Sequence, residues 1–469
     1  MSIHEECGIF GVYSDHSGDA ANICYYGLYA LQHRGQESCG IVVNDDGVFY
    51  SHKDLGRVGD VFTEQTIAAF PHASMAVAHT RYGTTGGTNR QNCQPIEINH
   101  QKGHMALAHN GNLSNAEQLR SGLELAGAIF HTTSDTETIA YIVTRERLLV
   151  SSIEDAVSRA MNILEGAYSL ILMSPQKLIC VRDPHGFRPL CYGRMADGTY
   201  IVASESCALR AVGAEMIRDL DPGEILIFGP QGVESRREHC KKMPGKICIF
   251  EYIYFARPDS VVDGISVHQA RMKAGEILAQ EHPVEADIVI GVPDSGLDAA
   301  LGYSRASGIP YGIGLIRNKY IGRTFIAPDH RLDQVKIKLA TVESEVQGKR
   351  VVLVDDSIVR GTTSGQIIRL LREAGASEIH MRVSAPPFLF PCYYGTDIDS
   401  QDKLIACRHT VPEIADMIGA DSLGYLPVER LGELAEERTH CEACFSGEYP
   451  TAVPLQAKKN RFEQKLSEI

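Results

Sequence analysis

The chain has 469 residues, 44% of them hydrophobic, and a formal net charge of −14 at pH 7. Its length predicts two to four domains, and its acidic balance argues against a nucleic-acid partner. No apolar run reaches the roughly 18 residues that a membrane span needs, and the acids near the start do not fit a signal peptide, so we expect a cytoplasmic protein with no membrane contact.

The first predicted strand, CGIFGVY, begins at Cys7, and an amphipathic helix is predicted at 19–31. Taken alone, Cys7 would be interpreted as a small buried hydrophobe. Later segments favour a functional role, namely QHRGQESCGI (32–41), AVAHTRYGTTG (76–86), MALAHNGNLSN (105–115) and TTSDTETIAY (132–141). Together they resemble the class II glutamine amidotransferase domain. The resemblance implies an N-terminal-nucleophile hydrolase fold, α+β, with stacked αββα layers.

Cys7 is the expected nucleophile of that domain. A thiol at a mature N-terminus has its own α-amine, with a pKa of about 7.7–8.0, as a neighbouring base. The thiolate attacks the side-chain amide of glutamine, and glutamate leaves later from a thioester. Because MSIHEE precedes Cys7, we expect residues 1–6 to be a propeptide.

The resemblance also assigns the residues that hold glutamine. Asn110 and the N–H group of Gly111 would stabilise the oxyanion. Arg81 would pair with the α-carboxylate of glutamine, with Thr84 nearby, and Asp135 would hold the α-amino group. Each residue alone also fits a surface arginine, a turn or a helix N-cap, and it is their joint occurrence in the family's order that favours the functional interpretation.

The remainder of the first half predicts one helix and several strands that complete the same domain, which we expect at 7–233. The charged stretch ESRREHCKKMPGK predicts a linker at 234–247. A second domain is then expected at 248–469. Its apolar start, CIFEYIYF, indicates a strand that includes Tyr254, followed by a loop and a helix near 268–280.

The most informative stretch of the second half is VVLVDDSIVRGTTS (351–364). Its apolar, β-branched start predicts a strand buried on both faces of a parallel sheet, and a helix is predicted at 366–375. A small-residue loop before a helix N-terminus is a phosphate cradle, because unpaired N–H groups converge there. The stretch resembles the phosphoribosyl pyrophosphate (PRPP) loop of type I phosphoribosyltransferases, which have an α/β fold. The expected PRPP-binding residues are Asp355, Asp356, Ser357, Arg360, Gly361, Thr362 and Thr363.

That resemblance also implies functional roles for two earlier segments. DIVIGVPDSG (287–296) has the same strand-then-loop design, so Ser295 is expected to join Asp355 and Asp356 at Mg²⁺, although a plain βα turn is the alternative. The basic segment 314–339 resembles the lid over PRPP. Its expected phosphate-facing residues are Arg317, Lys319 and Arg323. The lid is about two residues shorter than the family's pattern.

Four of the thirteen cysteines suggest a metal site. Cys441 and Cys444 form a CxxC motif, and Cys248 and Cys392 lie earlier. The spacing leaves zinc, an iron–sulfur cluster or a redox pair open, and Cys240 and Cys407 compete as ligands. By resemblance, Cys248, Cys392, Cys441 and Cys444 are the ligands of a [4Fe–4S] cluster.

The two halves together resemble the glutamine PRPP amidotransferase (amidophosphoribosyltransferase) family, in its iron–sulfur, propeptide-bearing subclass. The resemblance implies transfer of ammonia from glutamine to C1 of PRPP, which yields 5-phosphoribosylamine, pyrophosphate and glutamate for purine synthesis. It also implies a coupling role for Tyr254, inhibition by purine nucleotides, and a homotetramer.

Three alternatives are weighed against that function. The first is an amidotransferase with another acceptor, as in glucosamine-phosphate or asparagine synthesis. The second is a nucleobase-salvage transferase with a degenerate first domain, and the third is a non-catalytic, iron-sensing or nucleotide-binding regulator. The PRPP loop argues against the first, and the complete glutamine-binding set argues against the second. The third predicts nucleotide binding without turnover.

Overall fold

The computed structural model describes residues 7–82, 89–318, 338–396, 398 and 400–453. The expected propeptide at 1–6, Thr84, Lys319 and Arg323 lie outside the described residues. Among the helices of the described ranges, none is long and apolar enough to cross a membrane.

The N-terminal half contains two antiparallel sheets. Their strands are β1 (Gly8–Gly18), β2 (Ser38–Asp45), β3 (Val48–Leu55), β4 (Ala73–Arg81), β5 (Ile96–His100), β6 (Gly103–Leu113), β7 (Gly166–Met173), β8 (Leu178–Arg182), β9 (Cys191–Arg194), β10 (Tyr200–Ala203), β11 (Glu215–Asp219), β12 (Ile225–Gly229) and β13 (Gly232–Arg236). The strand order is β11-β9-β10-β1-β4-β2-β3 in the first sheet and β13-β12-β8-β7-β6-β5 in the second. The helices are α1 (Ala20–Ala30), α2 (Val58–Val61), α3 (Glu64–Ala68), α4 (Ala116–Leu125), α5 (Asp135–Leu149), α6 (Ile153–Ala160) and α7 (Ser206–Ala211).

These sheets and helices stack in four layers, with an apolar core between each neighbouring pair. Side chains alternate along β1, so Ile9 packs between the two sheets while Phe10 and Val12 pack against α1. The helices α5 and α6 cover the outer face of the second sheet. Helix α1 approaches the first sheet so closely that a Cβ atom at Gly27 would lie 2.3 Å from the Phe10 ring. This αββα stacking confirms the fold expected for the first half.

The C-terminal half is built around a parallel sheet. Its strands are β14 (Ile247–Cys248), β15 (Val261–Val262), β16 (Ile265–Ser266), β17 (Ile288–Gly291), β18 (Leu315–Arg317), β19 (Leu339–Thr341), β20 (Arg350–Asp355), β21 (Glu378–Val383), β22 (Ser422–Tyr425) and β23 (His440–Cys441). Its helices are α8 (Val267–Glu281), α9 (Leu297–Ser307), α10 (Glu343–Val346), α11 (Thr362–Glu373), α12 (Val411–Ile418) and α13 (Ala443–Ser446), and a π-helix spans Glu251–Phe255.

Strand β20 lies inside the four-stranded parallel sheet, whose order is β17-β20-β21-β22. Both faces of β20 are covered, which explains the uninterrupted VVLV run and confirms the predicted buried strand. Because parallel strands end at one edge of a sheet, the loops after β17 and β20 lie side by side.

Three boundaries differ from the sequence prediction. Strand β13 pairs with β12 as far as Arg236, so the first domain's sheet extends three residues into the linker predicted at 234–247. The apolar run from Cys248 was predicted to begin a strand, but β14 ends there and the π-helix follows. Helix α11 begins at Thr362, ahead of the predicted 366–375, because Gly361 adopts a left-handed N-cap conformation with φ of 76°.

Candidate active sites

Cys7 lies at the entrance to β1, beside the end of β4. The next residue, Gly8, pairs with Thr80, and the Cys7 Sγ atom lies 3.5 Å from the carbonyl oxygen of Tyr82. The Cys7 side chain is nearly buried. The antiparallel pairing of β1 with β4 therefore brings the expected nucleophile next to Arg81, which is the last residue of β4 and is also buried.

Asn110 and Gly111 lie on β6 in the facing sheet. The Asn110 side chain is fully buried, and neither its Nδ2 nor its Oδ1 atom has a hydrogen-bond partner among the described residues. A buried amide without a partner is costly to the fold, so it indicates a group kept for a ligand. Gly111 has φ of 138°, and a Cβ atom there would lie 2.2 Å from the carbonyl oxygen of Ala167, so that no larger residue fits.

Asp135 begins α5 and is held as a buried carboxylate. Its Oδ2 atom accepts a hydrogen bond of 2.9 Å from the N–H group of Leu113, and its Oδ1 atom lies 3.5 Å from Nδ1 of His109. Burial acts to raise the pKa of Asp135, but His109, the Leu113 N–H group and Arg81 outweigh it and hold the pKa below its ordinary value. The effect of Arg81 on this pKa shows that the two expected glutamine-binding charges interact.

The expected PRPP loop connects β20 to α11. Asp355 ends β20, and its Oδ1 atom accepts a hydrogen bond of 2.9 Å from the N–H group of Asp356. Thr362 and Thr363 form the first turn of α11, where N–H groups have no intrahelical acceptor. Strand, acidic pair and helix N-terminus therefore have the order that a phosphate-and-ribose site requires.

The loop after β17 touches the acidic pair. The Ser295 hydroxyl donates to one carboxylate oxygen of Asp356 over 2.7 Å, and the Ser357 hydroxyl donates to the other over 2.5 Å. Burial and the neighbouring Asp356 raise the pKa of Asp355 well above its ordinary value. Two adjacent buried carboxylates with a hydroxyl beside them fit a divalent cation, because the cation would offset their repulsion.

Arg317 is the expected lid residue that the structure describes. It ends β18, and its guanidinium donates to Oδ2 of Asp294, in the loop after β17, over 2.7 Å. Both side chains are partly exposed. The start of the expected lid segment is therefore held against the loop after β17.

Tyr254 lies in the π-helix Glu251–Phe255 between the two halves. Its ring contacts Phe250 and Phe255, with centroids 5.8 and 5.7 Å away. Its carbonyl accepts a hydrogen bond of 2.8 Å from the buried Arg271 of α8.

The four expected cluster cysteines converge at the junction of the C-terminal tail with the second domain. Cys248 and Cys441 lie opposite each other on the parallel pair β14–β23. Cys444 follows in α13, and its carbonyl accepts the N–H groups of Leu389 and Phe390, close to Cys392 in sequence. Burial raises the pKa of the Cys444 thiol, and the other three thiols raise it further.

The four cysteines do not by themselves form a site for a single metal ion. Within the residues that the structure describes, no three His, Cys, Asp or Glu side chains are arranged to hold a metal ion. Of the competing ligands, Cys407 is exposed, and Cys240 lies among carboxylates of the first domain that, after burial, raise the pKa of its thiol.

Sequence reasoning missed a buried ionic network between the two halves. Arg34, Arg188, Glu205 and Glu251 have fully buried side chains and pair with one another. The sequence signal that could have indicated this network is Glu251, a charged residue inside the apolar run CIFEYIYF.

Comparisons with known proteins identify the families of both domains. The glutamine amidotransferase domain family matches residues 79–211, and the phosphoribosyl transferase domain family matches residues 264–388. An amidophosphoribosyltransferase of Bacillus subtilis is 47% identical over 460 residues, which cover 96% of this chain and 95% of the relative. One of Methanocaldococcus jannaschii is 46% identical over 466 residues, which cover 96% of this chain and 98% of the relative.

Two solved structures share the whole fold. The glutamine PRPP amidotransferase from B. subtilis, complexed with ADP and GMP, matches with a TM-score of 0.88 at 46% identity, over 95% of this chain and 98% of that chain. The second, described as the allosteric regulatory enzyme of purine biosynthesis, matches with a TM-score of 0.90 at 46% identity, over 97% of each chain.

Proposed function

Since the chain belongs to the amidophosphoribosyltransferase family, we propose that its two sites divide the family's reaction between the residues described above. The family catalyses the first step of purine biosynthesis, in which ammonia from glutamine replaces the pyrophosphate of PRPP. We assign glutamine hydrolysis to residues 7–236 and transfer to PRPP to the domain that begins near Ile247.

The proposed glutamine site uses Cys7 as nucleophile. Removal of residues 1–6 would free the α-amine, which takes the thiol proton, and Sγ then attacks the glutamine amide carbon. The Asn110 amide and the Gly111 N–H group stabilise the oxyanion, ammonia leaves, and water releases glutamate from the thioester. Arg81 and Asp135 hold the α-carboxylate and α-amino groups, with Thr84 beside them.

The proposed PRPP site uses the loop at 355–363. Ser357, Arg360, Gly361 and the two threonines bind the 5-phosphate, while Asp355 and Asp356 accept hydrogen bonds from the ribose hydroxyls. Phosphoribosyltransferases typically use Mg²⁺, and Ser295, Asp355 and Asp356 would hold it here. When bound, Mg²⁺ neutralises charge on the departing pyrophosphate.

The lid and the domain junction complete the proposal. Arg317 would exchange its contact with Asp294 for phosphate when the lid closes, and Lys319 and Arg323 would also bind phosphate. Tyr254 would relay PRPP binding to the glutamine site. Closure excludes water from C1 of PRPP, so that ammonia is the nucleophile.

We further propose that Cys248, Cys392, Cys441 and Cys444 bind a [4Fe–4S] cluster that fixes the C-terminal tail. Loss of the roughly 400 nm absorbance in air should then lower the unfolding temperature, because metal-binding energy contributes to folding. Cys444→Ser should show the loss without air, and Cys407→Ser should behave as wild type. Full iron content in Cys444→Ser would refute the assignment.

Regulation is inferred from a relative. The solved B. subtilis structure contains ADP and GMP, which supports the proposal that purine nucleotides inhibit this chain too. The homotetramer and the cytoplasmic location stay predictions.

The observation that carries the site assignment is the buried Asn110 amide without a partner. The test is anaerobic release of glutamate and pyrophosphate from glutamine, with and without PRPP and Mg²⁺. Coupled release of both products supports the two-site assignment. Glutamate without pyrophosphate would mean a different acceptor, and nucleotide binding with neither product would mean a regulator.

A further inference from the structure

The nucleophile is attached to the second domain through one buried arginine. Arg34 donates from Nε to the carbonyl oxygen of Cys7 over 3.0 Å. The same guanidinium forms a two-pronged contact with Glu251, over 2.9 and 2.8 Å, across 217 positions of sequence. Its fourth contact, 2.7 Å long, is to Glu205. Both partners in the Arg34–Glu251 pair are completely buried.

Glu205 connects the far end of the π-helix Glu251–Phe255 to the contacts of Arg34. Its Oε2 atom accepts hydrogen bonds from the N–H group of Arg257, over 2.9 Å, and from the Ser260 hydroxyl, over 2.7 Å. Glu251 begins the π-helix and Arg257 follows its end. Arg34 therefore binds the carboxylate at the first residue of the π-helix, and it also binds the carboxylate that holds the residues just after the last one.

The opposite side of the π-helix is held by Arg271 of α8. Its guanidinium donates to the carbonyl oxygens of Tyr252, Tyr254 and Ala256 over 2.9, 2.8 and 2.7 Å. Burial lowers the pKa of Arg271, and the carboxylates of Asp298 and Asp356 act against that shift. Helix α8 is also connected to the expected PRPP loop by contacts. His268 of α8 pairs with Asp298 of α9 over 2.7 Å, and Ser295, just before α9, donates to Asp356 of that loop over 2.7 Å.

A buried ionic network is a poor source of stability, because desolvation offsets the attraction between the charges. Its usual advantage is that it specifies one arrangement, since misplaced charges in a dry junction are strongly disfavoured. Four buried charges between Cys7 and the PRPP loop therefore suit a positioning role better than a general stabilising one.

We propose that Arg34 and Glu251 are positioning residues that transmit the state of the PRPP loop to the nucleophile. PRPP binding rearranges the Ser295–Asp356 contact, the change passes through α9 and α8 to the π-helix that Arg271 holds, and the Glu251–Arg34 pair moves the carbonyl of Cys7. This inference rests on the proposed two-site function, and it adds a side-chain path to the coupling assigned to Tyr254.

The test compares two isosteric variants of the full chain under anaerobic conditions. Glu251→Gln removes one charge of the path. Asp263→Asn is the matched control, because Arg182–Asp263 is another two-pronged pair across the junction, with contacts of 2.6 and 2.8 Å and Arg182 completely buried, and it contacts neither Cys7 nor the π-helix ends. For each variant, kcat/KM for glutamine hydrolysis is measured with and without PRPP and Mg²⁺.

In wild type we expect PRPP to raise kcat/KM for glutamine by a factor within the usual 5- to 150-fold range of coupling between sites. Glu251→Gln should bring that ratio close to 1 while it keeps pyrophosphate release with free ammonia. Asp263→Asn should keep the wild-type ratio. Alkylation of Cys7 by iodoacetamide should likewise respond to PRPP in wild type and Asp263→Asn, and no longer respond in Glu251→Gln.

A wild-type ratio in Glu251→Gln, or an equal loss in Asp263→Asn, would overturn the path. If Glu251→Gln does not fold, Arg34→Lys is the second variant, because it keeps the charge but loses the two-pronged geometry, and the same outcomes apply. Wild type that releases no glutamate or no pyrophosphate would instead refute the two-site function.

Discussion

The proposed glutamine site and the proposed PRPP site are built in opposite ways. Arg81, Asn110 and Asp135 lie on β4, β6 and α5. Cys7 directly precedes β1, so the relative positions of all four depend on how the two antiparallel sheets pack. The PRPP loop is one continuous stretch, 355–363, at the end of a single strand. The first site therefore depends on tertiary packing, whereas the second depends mainly on a local turn supported by its neighbouring strand.

The two sites also differ in electrostatics. In the glutamine site, the Asp135 carboxylate has opposite charge and a donor beside it, and its pKa is low. In the PRPP loop, Asp355 lies against a like charge, and its pKa is high. The charge in the first site therefore suits the zwitterion proposed to bind there, while the repulsion in the second suits the proposed cation.

The largest expected effect is that of Cys7→Ala, which should abolish the glutamine reaction and leave the ammonia reaction intact. Cys7→Ala should lower glutamine-dependent synthesis on the order of 10⁴-fold, because no other group replaces the covalent nucleophile. Pyrophosphate release with free ammonia should stay near wild type, since the PRPP loop does not use Cys7. Parallel assays with glutamine and with ammonium chloride measure both. A matching fall with ammonia would show that the sites are not separable.

Asn110→Ala tests whether the buried Asn110 amide serves catalysis or the stability of the first domain. Loss of one oxyanion donor should lower kcat for glutamine by about 10²–10³-fold, yet stability should not fall, because the amide has no partner among the described residues. Asn115→Ala is the control, since that amide donates to the Ile163 carbonyl over 2.9 Å and accepts from the Glu165 N–H group over 3.1 Å.

The control should show the reverse pattern. Asn115→Ala should lose about 1–2 kcal/mol of unfolding free energy and keep its kcat. Urea unfolding and glutaminase assays on both variants provide the measurement. A stability loss in Asn110→Ala as large as in Asn115→Ala would mean that Asn110 is structural.

Asp356→Asn tests the second site. One unit of charge is lost where Ser295 and Ser357 donate, so synthesis should fall on the order of 10²-fold with glutamine and with ammonia alike. A higher Mg²⁺ concentration should recover part of the rate if the Asp356 charge helps to bind the cation. An effect confined to the glutamine reaction would contradict the assignment.

The difference between the sites also explains what could be predicted from the sequence. The β20–loop–α11 unit is local, so an apolar β-branched run, two acids and a glycine were sufficient to predict it. The start of α11 was missed, because adjacent threonines favour a loop interpretation while the Gly361 cap permits a helix.

The ionic network could not be predicted in the same way. The partners of Glu251 lie 217 and 63 positions away in sequence, at Arg34 and Arg188. No local sequence pattern predicts a pairing between residues so far apart. The charge of Glu251 within CIFEYIYF indicates a buried charge but does not identify its partner. The glutamine-site residues are equally dispersed, and they were identified through family resemblance rather than through spacing.

The smallest expected effect concerns acid sensitivity of the first domain. His79 of β4 donates from Nε2 to the carbonyl oxygen of His109 over 3.1 Å, and its Nδ1 atom has no hydrogen-bond partner among the described residues. Burial lowers the pKa of His79 to about 3. Because the unfolded chain has a histidine pKa of about 6.5, the unfolded state binds the extra proton. Stability from this group is complete above pH 6.5 and is lost as pH falls toward 3.

His79→Asn keeps a donor but cannot titrate. Between pH 7.5 and 5.5 the wild-type first domain should lose about 1.4 kcal/mol more unfolding free energy than this variant, as measured by urea unfolding of that domain's transition at both pH values. The PRPP domain's own transition should have the same pH dependence in both proteins, because His79 lies between the sheets of the first domain. Equal slopes for the first domain would mean that His79 is charged when folded, and β4 would then need an acceptor beside Nδ1.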